Sequence, residues 1–194
     1  MLRFLHRLKA DSPEEQLVAR AQQGDAEAFR WLFERHVNAV RRFLGDMLPS
    51  AHLADEASQE TFVRAHRLLP RLQDRLRVKP WLLAIARLVA LELLRGQKGE
   101  AFEEDAPAVV QAVIPSPDPE AVLLDKELHG HFSAALASLS THRRAVLLMR
   151  LDHGLAYDEI ADAMGWSLAQ VKNEIHRARL QLRTAMQPHL GVAR

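Results

Sequence analysis

The stretch from Tyr157 to Arg179, YDEIADAMGWSLAQVKNEIHRAR, constrains the fold of this chain more than any other. Apolar residues recur at helical spacing on both sides of a glycine, so the segment reads as two short helices joined by a tight turn. A helix-turn-helix needs a small residue where the helices cross, a glycine in the turn and an apolar anchor in the second helix. Ala161, Gly165 and Val171 stand at those places, at offsets of four and six residues. Ser167 and Gln170 form a capping box that starts the second helix. A plain helical hairpin would use the same apolar residues but leaves the charges after the turn unexplained. A helix that meets DNA accounts for them.

On that second helix, at about 100° per residue, Leu168, Val171, Ile175, Ala178 and Leu182 fall in one narrow stripe, the expected buried side. Lys172, His176, Arg179 and Arg183 share a flank, and Asn173 points away from the core. Glu174 falls on the other flank beside Gln170, one turn before Arg177, next to the basic face rather than inside it. Three roles are open to it: an i,i+3 partner for Arg177, an acceptor for a cytosine amino group, or a solvated bystander.

The rest of the chain is also helical in period, with no run of alternating β-branched residues to suggest a sheet. DSPEEQLVARAQQG predicts Ser12 as N-cap, Pro13 at the first helical position and Glu15 closing a capping box, with Gly24 ending the helix. Phe29, Leu32, Phe33, Val37, Val40 and Leu44 predict a buried stripe on the next helix. Two further helices are expected over about Ala51–Leu69 and Pro80–Arg95, separated by the charged loop PRLQDRLRV. Composition then shifts: GQKGEAFEEDAPAVVQAVIPSPDPE holds four prolines, two glycines and an excess of acids, the signature of a linker. Helical periodicity resumes after it. The expected architecture is all-α: a lead-in over 1–11, a helical domain over 12–96, a linker over 97–119, a second helical domain carrying the helix-turn-helix over 120–188, and a tail over 189–194.

Totals bound the function. With 194 residues the chain suits one large or two small domains, and without cysteine it has no disulfide or thiolate zinc site. No apolar run reaches membrane-span length, and the basic, amphipathic MLRFLHRLKA lacks the core and cleavage site of a signal peptide. Together these point to a cytoplasmic protein. His129 and His131 lie two apart on a helix and point to different faces, so the ten histidines suggest no metal site. No cofactor motif, HExxH, phosphate-cradling loop or nucleophile motif occurs, so no enzyme is expected. Acids and bases almost cancel, 25 against 26. A pI near 8.3 is modest for a free-standing DNA binder. Local patches and a partner have to supply the binding.

Both halves resemble the bacterial sigma factors of the extracytoplasmic-function type, in the sigma-70 family. LASLSTHRRAVLLMRLDHGLAYDEIADAMG with the helix after it is similar to their region 4, LADEASQETFVRAHRLL to a D-x-x-Q-E-x-F helix of region 2, and VKPWLLAIARLVALELLRG to the F-R-T-W-L-x-x-I-A-R-N helix that follows. The resemblance covers roughly residues 12–95 and 120–186. It departs at Glu56, Pro80, Leu88, Glu92, Ala156 and Glu174; Ala156 replaces the usual Ser/Thr N-cap, a change worth about 1 kcal/mol.

The resemblance implies partners and roles. Ser167, Gln170, Lys172, Asn173, His176, Arg177 and Arg179 match positions at the upstream (−35) promoter element. Arg71, Arg75, Arg77, Trp81, Arg87, Glu92 and Arg95 match the part that opens the downstream (−10) element, where unstacking is offset by binding flipped bases and single strand. Asp55, Glu56, Gln59, Glu60 and Phe62 match the surface that docks on the clamp helices of core RNA polymerase; the flap region and an anti-sigma factor are further implied partners. A flexible tether of 22–25 residues spans about 25–30 Å, while the two elements lie about 50–60 Å apart, so the polymerase has to hold the modules apart. Two rivals remain at this point: a stand-alone helix-turn-helix regulator and a helical interaction adaptor.

Overall fold

A computed structural model describes residues 13–98 and 130–190. The basic lead-in, Ser12, nearly all of the expected linker, and the start of the helix expected from residue 120 lie outside the described residues.

Four helices form the N-terminal unit: α1 (Glu14–Gln22), α2 (Ala26–Met47), α3 (Ala51–Leu68) and α4 (Val78–Lys98), with a 3-10 turn at Leu69–Arg71 before α4. Pro13 lies just outside α1 in an extended conformation, not at its first helical position. Gly24 stops the chain after α1 with φ of 90°, a region that a Cβ makes costly. Asp25 then caps α2, accepting from the N–H groups of Glu27 and Ala28 at 3.0 Å each, while Arg20 donates to its other oxygen. These donors, Ala28 N–H first and then Arg20, hold the Asp25 carboxyl below the ordinary range. Ser50 caps α3 through Leu53 N–H.

Leu32, Val40 and Leu44 are buried on α2 as the spacing predicts, but Phe33 is 37 % exposed. The buried stripe runs instead through Ala28, Leu32, His36, Val40, Phe43, Leu44 and Met47. Phe33 lies at its edge, its ring T-shaped against Phe62 at 4.6 Å. His36 tolerates burial because its Nε2 meets Glu14 Oε1 at 2.7 Å, a bond that lowers the Glu14 pKa. α4 begins two residues earlier than expected. Pro80 falls inside its first turn, where a missing N–H leaves no intrahelical bond unmade.

The C-terminal unit contains helix α5 (130–137), α6 (Thr141–Leu151), α7 (Tyr157–Met164) and α8 (Leu168–Leu190). Val171, Ile175 and Ala178 are buried between α8 and its neighbours, joined by Met186; Leu168, expected in the same stripe, is 48 % exposed because it precedes the crossing. Arg144 is a fully buried guanidinium in this unit. It donates to the carbonyl oxygens of Leu136 (2.9 Å), Ala137 (2.8 Å) and Leu139 (3.3 Å), so it ties the end of α5 to α6. Burial pushes its pKa down to about 10, which leaves it charged at neutral pH.

The two units are packed together, α4 against α7 and α6, and α2 against α6. Arg144 Nη1 reaches the Met47 carbonyl at 3.3 Å, Lys79 Nζ donates to the His153 carbonyl at 2.6 Å, and Arg42 pairs with Asp152. The His153 ring lies edge-on to Phe43 at 5.7 Å. A tethered pair of independent modules, the expectation from composition, is thus a docked pair here. Groups at the end of α2 and the start of α4 find partners on α6 and on the turn after it, and periodicity within single helices does not report such a match.

Candidate nucleic-acid and polymerase interfaces

The helix-turn-helix is α7, a turn at Gly165–Ser167, and α8. Gly165 adopts φ of 67°, and the N–H groups of Trp166 and Gly165 close the end of α7 onto the carbonyls of Ala161 and Asp162. This double closure satisfies carbonyls that a helix end leaves open, and it turns the chain sharply into α8. The start of α7 is weaker. Ala156 has no side-chain acceptor, so only the return half of a capping box exists, Ala156 N–H donating to Glu159 Oε2 at 2.7 Å. At α8 the reciprocal box is complete: Ser167 N–H donates to Gln170 Oε1 at 2.9 Å, and Gln170 N–H to Ser167 Oγ at 3.2 Å.

With α7 and α6 covering one side of α8, the candidate residues Lys172, Asn173, His176, Arg177 and Arg179 all lie on its exposed surface. Lys172, Asn173, His176 and Arg179 have no protein partner among the described residues. Ser167 and Gln170 are exposed too, but each is engaged with the other, so their first role is to shape the helix start.

Glu174 lies where the wheel places it, and its partners decide among its three roles. It accepts from Arg177 Nη1 at 3.0 Å and from Arg143 Nε at 2.7 Å. The Arg177 contact is the expected i,i+3 pair. The Arg143 contact crosses from α6 and has no signature in the sequence of α8.

The downstream candidates do not form one cluster. Arg71, Arg75, Arg77 and Trp81 gather on the loop and first turn of α4. Arg75 donates to Gln22 Oε1 at 2.9 Å, and Trp81 is half-buried in a depression that includes Asp162 and Ala163 of α7. Arg77 pairs with Asp74 at 3.2 Å and, across the units, with Asp158 at 2.9 Å and with Asp162. Its pKa is raised by these carboxylates against the effect of desolvation. Glu92 and Arg95 lie far along α4, about 16 and 21 Å from Trp81 at 1.5 Å per residue. Arg87 is half-buried between these groups. Its Nε has no hydrogen-bond partner, and its pKa is lowered by burial and by Arg95.

Glu92 lies instead beside the residues expected at the polymerase-docking surface. Arg64 donates to both its oxygens, at 2.8 and 2.7 Å, and to Glu60 at 2.7 Å. Glu56, Gln59, Glu60, Val63, Arg64 and Glu92 line one groove between α3 and α4. Asp55, Glu56 and Gln59 are exposed along α3, with Asp55 paired to Arg41 at 2.7 Å. Phe62 is 6 % exposed and belongs to the core rather than to the surface. Sequence reasoning missed Arg42, Lys79, Arg143, Asp152, Asp158 and Asp162. Each of them is an ordinary surface charge in its own helix or turn and acquires a role only through its partner on another element.

Among the described residues no group of three or more His, Asp or Glu side chains is placed to hold a metal ion, and no helix is long and apolar enough to cross a membrane. Comparison with known proteins bears directly on the two units. Residues 32–100 match sigma-70 region 2 and residues 131–182 match sigma-70 region 4. The chain is 31 % identical over 185 residues to the ECF RNA polymerase sigma factor SigE of Mycolicibacterium smegmatis, covering 93 % of this chain and 70 % of that one. It is 29 % identical over 182 residues to the ECF RNA polymerase sigma-E factor of Escherichia coli K12, covering 90 % and 95 %. Two solved structures share the fold. CnrH in complex with the cytosolic domain of CnrY has a TM-score of 0.68 at 24 % identity, over 90 % of this chain and 97 % of that one. The sigma factor RpoE of Bartonella quintana in complex with the anti-sigma factor NepR has a TM-score of 0.64 at 21 % identity, over 87 % and 100 %. The docked helical units, the outward basic helix and the matches to regions 2 and 4 therefore have one source: the chain belongs to the extracytoplasmic-function RNA polymerase sigma factors of the sigma-70 family.

Proposed function

We propose that this sigma factor, which binds core RNA polymerase and directs promoter recognition and melting, does so in an opened form of the docked pair. The polymerase carries out the chemistry, and the factor contributes binding. Residues 12–96 form the polymerase-binding and downstream-element domain, and residues 120–188 the upstream reader, joined by the segment over 97–119. On α8, Lys172, Asn173, His176 and Arg177 meet bases or phosphates, and Arg179 meets phosphate. Ser167 and Gln170 fix the helix start that aims them. The observation that carries the reading is the outward, largely unpartnered basic face of α8, held on a helix-turn-helix whose other side is closed by α6 and α7.

Arg71, Arg75, Arg77 and Trp81 are assigned to the opened downstream strand, with Arg87 and Arg95 further along α4. The groove lined by Glu56, Gln59, Glu60 and Glu92, with Asp55 at its approach, is assigned to the clamp helices of the polymerase, and Phe62 supports it from beneath. Opening is required because Arg77 cannot neutralise DNA phosphate while Asp158 and Asp162 occupy it. The related sigma factor RpoE is bound to the anti-sigma factor NepR, which supports an anti-sigma factor as a further partner of this chain. The cytoplasm is the compartment where all these partners meet.

Run-off transcription tests the reading with three mixtures: core polymerase alone, polymerase with this protein, and polymerase with the Glu56→Ala/Gln59→Ala variant. Specific transcripts are expected only from the second. Specific binding to a palindromic site without polymerase would instead favour a stand-alone regulator, and no DNA contact in any mixture would favour an adaptor.

A further inference from the structure

From the contacts between α6 and α8 we infer that Arg143 and Glu174 form a positioning device which aims Arg177 at one base pair of the upstream element. The inference rests on the assignment of α8 as the upstream reader. Glu174 itself reads nothing. Both its oxygens are engaged, Oε2 by Arg143 Nε at 2.7 Å and Oε1 by Arg177 Nη1 at 3.0 Å. Its side chain is 21 % exposed, between Arg143 at 31 % and Arg177 at 63 %. Anchor and carboxylate are both shielded, the carboxylate more so, while the Arg177 guanidinium is in solvent.

That arrangement suits a reader. A free arginine on a helix surface samples many rotamers and loses them on binding, and a long side chain restrained beforehand loses fewer. Glu174 takes one of the five guanidinium donors of Arg177, and Nη2 and Nε have no protein partner among the described residues. Two donors in that fork match O6 and N7 of a guanine in the major groove. Glu174 is in turn held by Arg143, which sits in the first turn of α6, where Ser140 caps its N–H at 3.4 Å. The carboxylate is thereby fixed against a second helix rather than only against its own. Each oxygen keeps a second lone pair, but a cytosine amino group would have to compete there with a charged partner already in place, and a charge-assisted bond is the stronger of the two.

The device predicts a split outcome. Removing Glu174 frees Arg177 and adds one net positive charge near DNA, so general affinity for phosphate should rise while discrimination at one position falls. Holoenzyme made with the full chain is used to select from a random promoter library, and base preferences are read position by position. Arg177→Ala is expected to relax preference at one base pair by about tenfold. Glu174→Gln and Arg143→Ala should relax the same position and leave the others unchanged. In the Arg177→Ala background, Glu174→Gln should have no further effect there, as required of a residue that acts only through Arg177. Arg177 is well exposed, so Arg177→Ala keeps the test sound even if an Arg143 variant folds poorly. A change caused by Glu174→Gln in the Arg177→Ala background would show Glu174 touching DNA directly and overturn the inference, as would unchanged profiles for both single variants. Failure of the unaltered holoenzyme to select any sequence would overturn the assignment of α8 instead.

Discussion

Acidification should loosen the docking of the two units, with His153 as the main titrating group. This ring is buried at the junction, edge-on to Phe43, with Lys79 bonded to its carbonyl. Burial pushes its pKa down to about 4, helped by the Lys79 and Arg42 charges and opposed by Asp152. In the docked form it is therefore neutral over most of the range in which a solvated histidine takes up a proton, near pH 6.5. As pH falls below 6.5, the opened form gains a proton that the docked form refuses until about pH 4. The docked form thus loses stability across that window, because the state with the higher pKa binds more protons.

At pH 5.5 the difference is on the order of 1 kcal/mol, about a tenfold shift in the open-to-docked ratio relative to pH 8, if opening solvates the ring fully. One neighbour acts in the opposite sense. Asp46, whose pKa is raised by burial and by Asp152, takes up its proton more readily in the docked form and so favours docking as pH falls. The chain contains no cysteine, so cysteines introduced at the exposed His52 and Lys172 can be labelled uniquely for energy transfer between the units. Transfer efficiency should drop between pH 8 and 5.5 in the parent protein and stay flat in His153→Gln. Identical pH profiles for the two proteins would refute the reasoning.

The carboxylates facing Arg77 provide a second prediction: Asp158→Asn/Asp162→Asn should lower energy transfer in the same assay, and raised salt should mimic the effect in the parent because these pairs are exposed. Gly165→Ala should cost about 1–2 kcal/mol in thermal unfolding, since a Cβ meets no neighbour within 4 Å and only the left-handed φ of 67° is disfavoured. An unchanged melting temperature would show that the turn relaxes. Arg144→Ala should cost roughly 3 kcal/mol or more, because the carbonyls of Leu136, Ala137 and Leu139 lose a charged donor in a buried site; urea unfolding of the purified variant measures it.

Much of this protein was legible along the chain because its information is local. Helix periodicity, the capping pair Ser167–Gln170 and a turn that only a residue tolerant of positive φ fills comfortably are set by neighbours a few positions apart, and they specified an all-α chain with a helix-turn-helix. The family motifs added polymerase and promoter to that reading. Relations between helices could not be read in the same way. Phe33 was expected inside and lies at the edge because α3, not α2, determines which side of α2 is covered. Leu168 fits the buried stripe by angle yet sits in solvent because no helix crosses there. Glu92 was grouped with the downstream candidates by motif order, whereas Arg64 draws it into the α3–α4 groove. The bond from Arg143 to Glu174 and those from Arg77 to Asp158 and Asp162 join residues 31, 81 and 85 positions apart. A charge shows in the sequence, but whether it stays solvated, aims a neighbour or holds two units together depends on which carboxylate or guanidinium the tertiary fold brings within hydrogen-bond reach.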